Sequence, residues 1–245
     1  MNVPSPATAA DYINAYMDEY YDSLSEENEE IGRFLYESQQ ARAPGKLLDV
    51  ACGPSAFYWS LFSPNVGEFH GIDVREDSID YLRGILATSS EDGTAPRYHE
   101  VARWHGLVDV AATTFVQETA KKFRQLTAHD ITTRWPYEDA SFAFVVSCFG
   151  MDHVETPEQF MAVLHEAQRV LETGGTLTLV TLCETQSWQC GDETFACLHT
   201  TAESLRVCAA KAGFHVEFLE ERLATTAVDR AQGYEKMLFF RGVKI

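Results

Sequence analysis

Three aspartates sit at or just inside the ends of short apolar runs: Asp49 in KLLDVA (46–51), Asp73 in EFHGID (68–73) and Asp130 in QLTAHDI (125–131). A carboxylate can accept from both hydroxyls of a ribose, and Asp73, closing the second run, is placed to do so. Asp130, followed by the backbone N–H of Ile131, can accept from the exocyclic amine of adenine. After Asp49 the chain reads Ala51-Cys52-Gly53-Pro54-Ser55, a tight turn in which Gly53 lets the backbone approach a ligand closely.

A dinucleotide site would use a similar turn and a similar acid. Its fingerprint is G-x-G-x-x-G, and this chain offers Ala51, Gly53 and Ala56 at the three glycine positions. Asp49, inside the strand just before the turn, would repel a pyrophosphate. A ligand with an ammonium and a sulfonium but no phosphate suits that carboxylate, which points to S-adenosylmethionine as the cofactor.

In open α/β sheets ligands lie at the C-terminal ends of the strands, so the elements that place these residues matter next. With the three runs above, FAFVVSC (142–148, ending at Ser147-Cys148) and TLTLVTL (176–182) read as strands covered on both faces, alternating with helices as in a doubly wound parallel sheet. The best-marked helix has Thr156 as cap, Pro157 at its first position, Gln159 completing a capping box, and Gly174-Gly175 as its stop. A helix over 202–212 ends before Gly213, and 214–220 with 236–243 form a closing antiparallel pair at the sheet edge. Residues 10–40 read as two short helices; in the second, Ser25 is the cap, Glu26, Glu27, Glu29 and Glu30 favour the helix start, and Ile31, Phe34 and Leu35 form the apolar stripe. The chain is read as one domain, 1–245, with a helical lid over 1–43 and a cofactor-binding core over 44–245. Its longer excursions, 84–124 and 183–200, follow elements aimed at the ligand edge, where a substrate lid would sit.

The 245 residues carry 19 basic and 37 acidic side chains, a formal charge of −18, with no basic cluster to track a phosphate backbone. Nucleic acid and an anionic membrane surface are poor partners for such a chain, whereas a cationic small molecule suits it. No apolar stretch reaches membrane-spanning length and the N-terminus lacks signal-peptide character, so a cytoplasmic protein is expected. The six cysteines include no C-x-x-C pair and read as reduced thiols; the seven-residue recurrence of Cys183, Cys190 and Cys197 is read as coincidence and no metal is expected.

Taken together, LLDVACGPSAF, the Asp73 strand end, AHDI, and WPYEDASFAFVVSCFGMDHVETPEQFMAVLHEAQRVLETGGTLTLV resemble the motif series of class I S-adenosylmethionine-dependent methyltransferases over most of residues 46–182. Two loop positions usually filled by glycine hold Ala51 and Ser55. Tyr16 with Tyr20-Tyr21, the Cys-Gly-Pro-Ser loop, the helical insertion before His129-Asp130-Ile131 and the downstream FACL…AAKAGFHVEFLEE are similar to the nicotinamide, phenylethanolamine and indolethylamine N-methyltransferase family over nearly the whole chain. The resemblance implies a Rossmann-like, seven-stranded, mostly parallel sheet with an antiparallel edge strand. It implies that Tyr16 and Tyr21 close over the cofactor, that Tyr20 lines the substrate pocket, and that Asp73 and Ser78 hold the ribose end. Asp49, Ala51, Cys52, Gly53, Phe57, Val74, Asp130, Ile131 and Cys148 complete the expected cofactor contacts.

In that family an aspartate commonly follows the fifth strand and binds the acceptor's nitrogen; here the matching position is Thr181. Glu184 could substitute for it, and Trp188 could supply an aromatic wall favouring an amine by cation–π contact. Tyr16 is expected to touch both ligands. Methyl transfer to a neutral amine relies on positioning and needs no strong base, so no catalytic base is assigned; for a hydroxyl acceptor His153 would be the first candidate. The expected activity is N-methylation of a small-molecule amine by a monomer. O-methylation on the same fold and a non-catalytic S-adenosylmethionine-binding protein are the alternatives.

Overall fold

The computed structural model describes residues 12–17, 26–39, 44–88, 101–106, 112–190, 193–224 and 233–245; Tyr20, Tyr21 and the expected cap Ser25 lie outside them. After helical residues 12–17 come α1 (Glu26–Gln39), β1 (Gly45–Val50), α2 (Phe57–Phe62), β2 (Val66–Asp73), α3 (Glu76–Thr88), α4 (Ala112–Ala120), β3 (Phe123–Ala128), β4 (Phe142–Cys148), α5 (Pro157–Val170) and β5 (Leu171–Leu182). They are followed by β6 (Ser187–Cys190), β7 (Glu193–Ala196), α6 (Ala202–Lys211), β8 (Phe214–Leu223) and β9 (Lys236–Lys244).

The main sheet has the order β3-β2-β1-β4-β5-β9-β8. β1 pairs in parallel with both β2 and β4, so the order reverses at the β1/β4 boundary, where this class of sheet opens its ligand crevice. β9 comes last in sequence, inserts antiparallel between β5 and β8, and leaves β8 at the edge.

Alternation along the strands sends Leu48, Val50, Ile72, Val145 and Leu179 to one face, packed against Phe160, Val163 and Leu164 of α5 and Leu205 of α6. Leu47, Phe69, Phe144, Val146 and Leu182 go to the other, under Ile31, Phe34 and Leu35 of α1 and Trp59 of α2. The same alternation assigns Asp49, Asp73 and Cys148 to this second face. Three candidate residues from three adjacent strands therefore converge under α1, α2 and residues 12–17.

The Thr156 capping box forms as read: its side chain accepts from the Gln159 N–H, and the Gln159 side chain reaches back to the cap. Gly174-Gly175 does not stop this helix. Leu171 is already extended, and the N–H groups of Ala140 and Ser141 donate to the Arg169 and Val170 carbonyls. With those terminal acceptors satisfied, the chain enters β5 at once. Residues 172–175 then loop out of the pairing between Phe142↔Leu171 and Phe144↔Thr176. The excursion 183–200 contains the β6–β7 hairpin, with Trp188 facing Phe195. No disulfide joins the six cysteines, and no helix among the described residues is long and apolar enough to cross a membrane.

Candidate functional site

The turn after β1 is left-handed at two positions, Ala51 (φ 57°) and Gly53 (φ 61°). Glycine adopts this conformation freely, but alanine pays about 1–2 kcal/mol, so surrounding contacts must hold Ala51 there. Cys52 N–H donates to the Ile72 carbonyl (3.1 Å), and Gly53 N–H donates to Asp73 Oδ2 (2.9 Å). Asp73 Oδ1 accepts from Arg75 N–H (2.8 Å), which orients the carboxylate from both sides. Burial pushes the Asp73 carboxyl above its ordinary range against these hydrogen bonds. A Cβ on Gly53 would lie 3.4 Å from the Tyr16 hydroxyl, so the tyrosine closes directly over the turn.

Asp49 is buried beneath that turn, and its Oδ2 accepts from the Trp59 indole N–H at 2.7 Å. Burial, with the Asp73 charge adding to it, pushes the Asp49 carboxyl up to about 7 against the pull of the indole bond. Two buried carboxylates flanking one turn favour a cation between them. Cys52 and Phe57 are both buried around this turn.

Val74 is 56% exposed immediately after Asp73, while Ile131 is buried after Asp130. Asp130 Oδ1 accepts from the Thr132 N–H (2.9 Å) and hydroxyl (2.8 Å). Ser78 is buried in the first turn of α3, with its N–H donating to Asp77. The Arg75 guanidinium binds Asp77 and lies 3.7 Å from the Tyr12 ring centre, so helical residues 12–17 reach from the Gly53 turn to the start of α3.

Next to the turn lies a cavity with aromatic walls: Tyr16, Tyr58, Phe149, Trp188 and Tyr234. Cys148 and Leu182, from the ends of β4 and β5, also line it, together with Glu27 and Asn28 of α1. Trp188 stacks on Phe195 across the β6–β7 hairpin (4.8 Å, 22°), and its indole N–H donates to His153 Nε2 at 2.7 Å. Phe195 meets Tyr12 at 5.7 Å, which joins the hairpin to helical residues 12–17. Phe149 is left-handed (φ 53°) and held by its N–H bond to the Val180 carbonyl (2.8 Å), a strained bulky residue at the cavity wall.

The structure thus brings Tyr16, Asp49, Ala51, Cys52, Gly53, Phe57, Asp73 and Cys148 around one turn, with Val74, Ser78, Asp130 and Ile131 at or just beyond the ends of β2 and β3. Tyr16, Cys148 and Trp188 also line the cavity. Thr181 and Glu184 do not. Thr181 pairs with Leu238 and shares the opposite sheet face with Leu179 and Cys183. The Glu184 carboxylate is tied to Lys236 at 2.8 Å, nearly half exposed. Sequence reasoning missed Glu27, Asn28, Tyr58, Phe149 and Tyr234 as cavity residues. For Glu27 the signal was present but disguised: it stands in an acidic run that helix-start chemistry explains, yet it is only 3% exposed.

Solved structures with this architecture include an S-adenosylmethionine-dependent methyltransferase from Methanosarcina mazei (17% identity, TM-score 0.61, covering 91% of this chain and 99% of that one). The N-methyltransferase NodS from Bradyrhizobium japonicum, in complex with S-adenosylhomocysteine, is similar at 14% identity and TM-score 0.58, over 95% of this chain and 97% of that one. A geranyl diphosphate C-methyltransferase from Streptomyces coelicolor follows at 12% and 0.56, over 89% and 78%. At these identities the likeness establishes the fold and leaves the acceptor open. No curated protein matches the sequence. The model of the NNMT/PNMT/TEMT family matches residues 8–240, nearly the whole chain. The chain belongs to this family of S-adenosylmethionine-dependent methyltransferases.

Proposed function

We propose that the protein transfers the methyl group of S-adenosylmethionine to a nitrogen of a small-molecule amine. When bound, S-adenosylmethionine supplies a methyl carbon on a positively charged sulfur, which an amine lone pair displaces in line while the C–S electron pair stays on sulfur as S-adenosylhomocysteine leaves. The residues present fit that group. Asp73 is already oriented by two backbone N–H groups, Gly53 gives close backbone access, and the Asp49 carboxyl, which burial holds toward its neutral form, would be drawn into its charged form by the ammonium of the amino-acid end. Val74 is an exposed apolar surface suited to stacking by adenine, with Ser78, Asp130 and Ile131 beside it. Helical residues 12–17 carry Tyr16 onto this turn.

The observation that carries the reading is the cavity itself. Five aromatic side chains enclose a space that touches the cofactor turn through Tyr16 and β4 through Cys148. Such walls desolvate an amine and favour its cationic product. Nitrogen is favoured over oxygen because His153, the first base candidate for a hydroxyl acceptor, has Nε2 accepting from the Trp188 indole N–H. A neutral amine needs only positioning here.

The test is a thermal-shift assay with S-adenosylhomocysteine beside NADH, followed by methyl transfer to matched panels of amines and phenols. A ligand at 100 times its Kd stabilises a fold by about 2.7 kcal/mol. Stabilisation by S-adenosylhomocysteine alone and turnover of amines are expected. Turnover of phenols would establish O-methylation, and binding without any transfer would establish a non-catalytic role.

A further inference from the structure

We infer that Glu27 is the acceptor-binding carboxylate, holding the charged nitrogen of the amine inside the aromatic cavity. The inference rests on the N-methyltransferase reading and names the side chain that senses the acceptor's charge. Glu26, Glu27, Glu29 and Glu30 begin α1, where acids ordinarily stay in water and interact with the helix end. Glu27 departs from that pattern: it is turned inward, buried, and part of the cavity wall.

Its position is fixed from the far end of the chain. The buried Tyr234 hydroxyl donates to Glu27 Oε1 at 2.8 Å, across 207 positions of sequence. Tyr234 stands just before β9, so a residue of the N-terminal helix and a residue outside the methyltransferase motifs meet at one carboxylate. Burying an ionised carboxylate is unfavourable, and a ligand ammonium at the same wall offsets that penalty with a charge-assisted hydrogen bond.

The surroundings suit a cation. Among the described residues that line the cavity, Glu27 alone carries a charge, and Tyr16, Tyr58, Phe149, Trp188 and Tyr234 supply ring faces and edges. The two positions expected to do this work at the end of β5 are elsewhere: Thr181 is on the other face of the sheet, and Glu184 is paired with Lys236. Glu27 takes over that function from α1. The ammonium held in this way must release one proton to water before its lone pair can attack, so Glu27 acts on acceptor affinity and selectivity.

The experiment measures methyl transfer to benzylamine, 2-phenylethylamine and cyclohexylamine. Inhibition by the corresponding alcohols, neutral isosteres of each amine, is measured alongside in wild type, Glu27→Gln and Tyr234→Phe. For the amine the wild type uses best, Glu27→Gln is expected to raise KM at least tenfold. The alcohol's inhibition constant and the KM for S-adenosylmethionine should move less than twofold. Tyr234→Phe, which keeps the carboxylate and loses its anchor, should raise the amine KM a few-fold and serves as second variant if Glu27→Gln folds poorly. An unchanged amine KM in Glu27→Gln, or equal shifts for amine and alcohol, overturns the assignment while leaving N-methylation standing. A wild type that methylates the alcohols, or none of these amines, overturns both.

Discussion

A Cβ placed on Gly150 would lie 2.4 Å from the Cβ of Ala51. The turns after β1 and β4 are thus interlocked at the centre of the site, and Ser147 reinforces the lock by donating from its hydroxyl to the Val50 carbonyl at 2.7 Å. Ala51 occupies a left-handed position usually held by glycine, and the space its methyl needs exists because Gly150 has no side chain.

This contact predicts a coupled pair. Gly150→Ala should destabilise the fold by several kcal/mol and abolish cofactor binding, because the added methyl also meets Ser147 Oγ at 2.9 Å and the Val50 carbonyl at 3.2 Å. Ala51→Gly alone should be stabilising by about 1 kcal/mol through relief of the left-handed strain. Chemical denaturation of the double variant should recover part of the Gly150→Ala loss. Strict additivity of the two changes would show that the side chains do not meet.

Asp49 predicts an inverted pH dependence. The unfolded chain releases this proton near 3.8, whereas the folded one holds it to about 7. The folded state therefore binds more protons across that interval, and stability falls as pH rises from about 4 to 7. Asp49→Asn keeps an acceptor for the Trp59 indole without the charge. At pH 8 it should be more stable than wild type by on the order of 2–4 kcal/mol, at 1.36 kcal/mol per pKa unit, with the gain vanishing near pH 4. Its affinity for S-adenosylmethionine should fall in the same variant. Denaturation curves at both pH values and cofactor titration check the two halves separately; a variant less stable at pH 8 would refute the first.

Asp73 supports the turn by accepting from both Gly53 and Arg75 N–H groups, and the proposed function gives it ligand contact as well. Asp73→Ala should weaken S-adenosylhomocysteine binding by about 1.5–3 kcal/mol, the scale of hydrogen bonds to a charged group. Calorimetric titration is the check. Unchanged affinity would move the ribose site elsewhere.

His153 should behave as a support for Trp188. His153→Gln is expected to lower kcat by less than tenfold on an amine acceptor, with the larger change in acceptor KM. A fall of about 10²–10⁴ in kcat, the range of a general base, would instead make it a proton-transfer group.

The path from sequence to site was uneven for physical reasons. Strand ends are local: an apolar run stopped by Asp73, or by Asp49 and its turn, can be read residue by residue, and those residues converge on one turn as expected. The Thr156 capping box is equally local and formed as written. The Gly174-Gly175 stop did not, because pairing with β4 drew Leu171 straight into a strand and backbone donors from 140–141 finished the helix. Tertiary pairing outweighed a local signal there.

The aromatic cavity was the least legible part. Its walls come from α1, α2, the β4 and β5 ends, the β6–β7 hairpin and the approach to β9, and no spacing rule links Glu27 to Tyr234. Only packing decides that one glutamate of an acidic run turns inward, or that Thr181 points away from the cavity while the next residue, Leu182, lines it. The sheet, the turn after β1 and its carboxylates were legible in the residues alone, because these depend on periodicity and on residue types at strand ends. The aromatic cavity came only with folding, because a pocket between distant elements is set by which side chains their packing leaves facing one another.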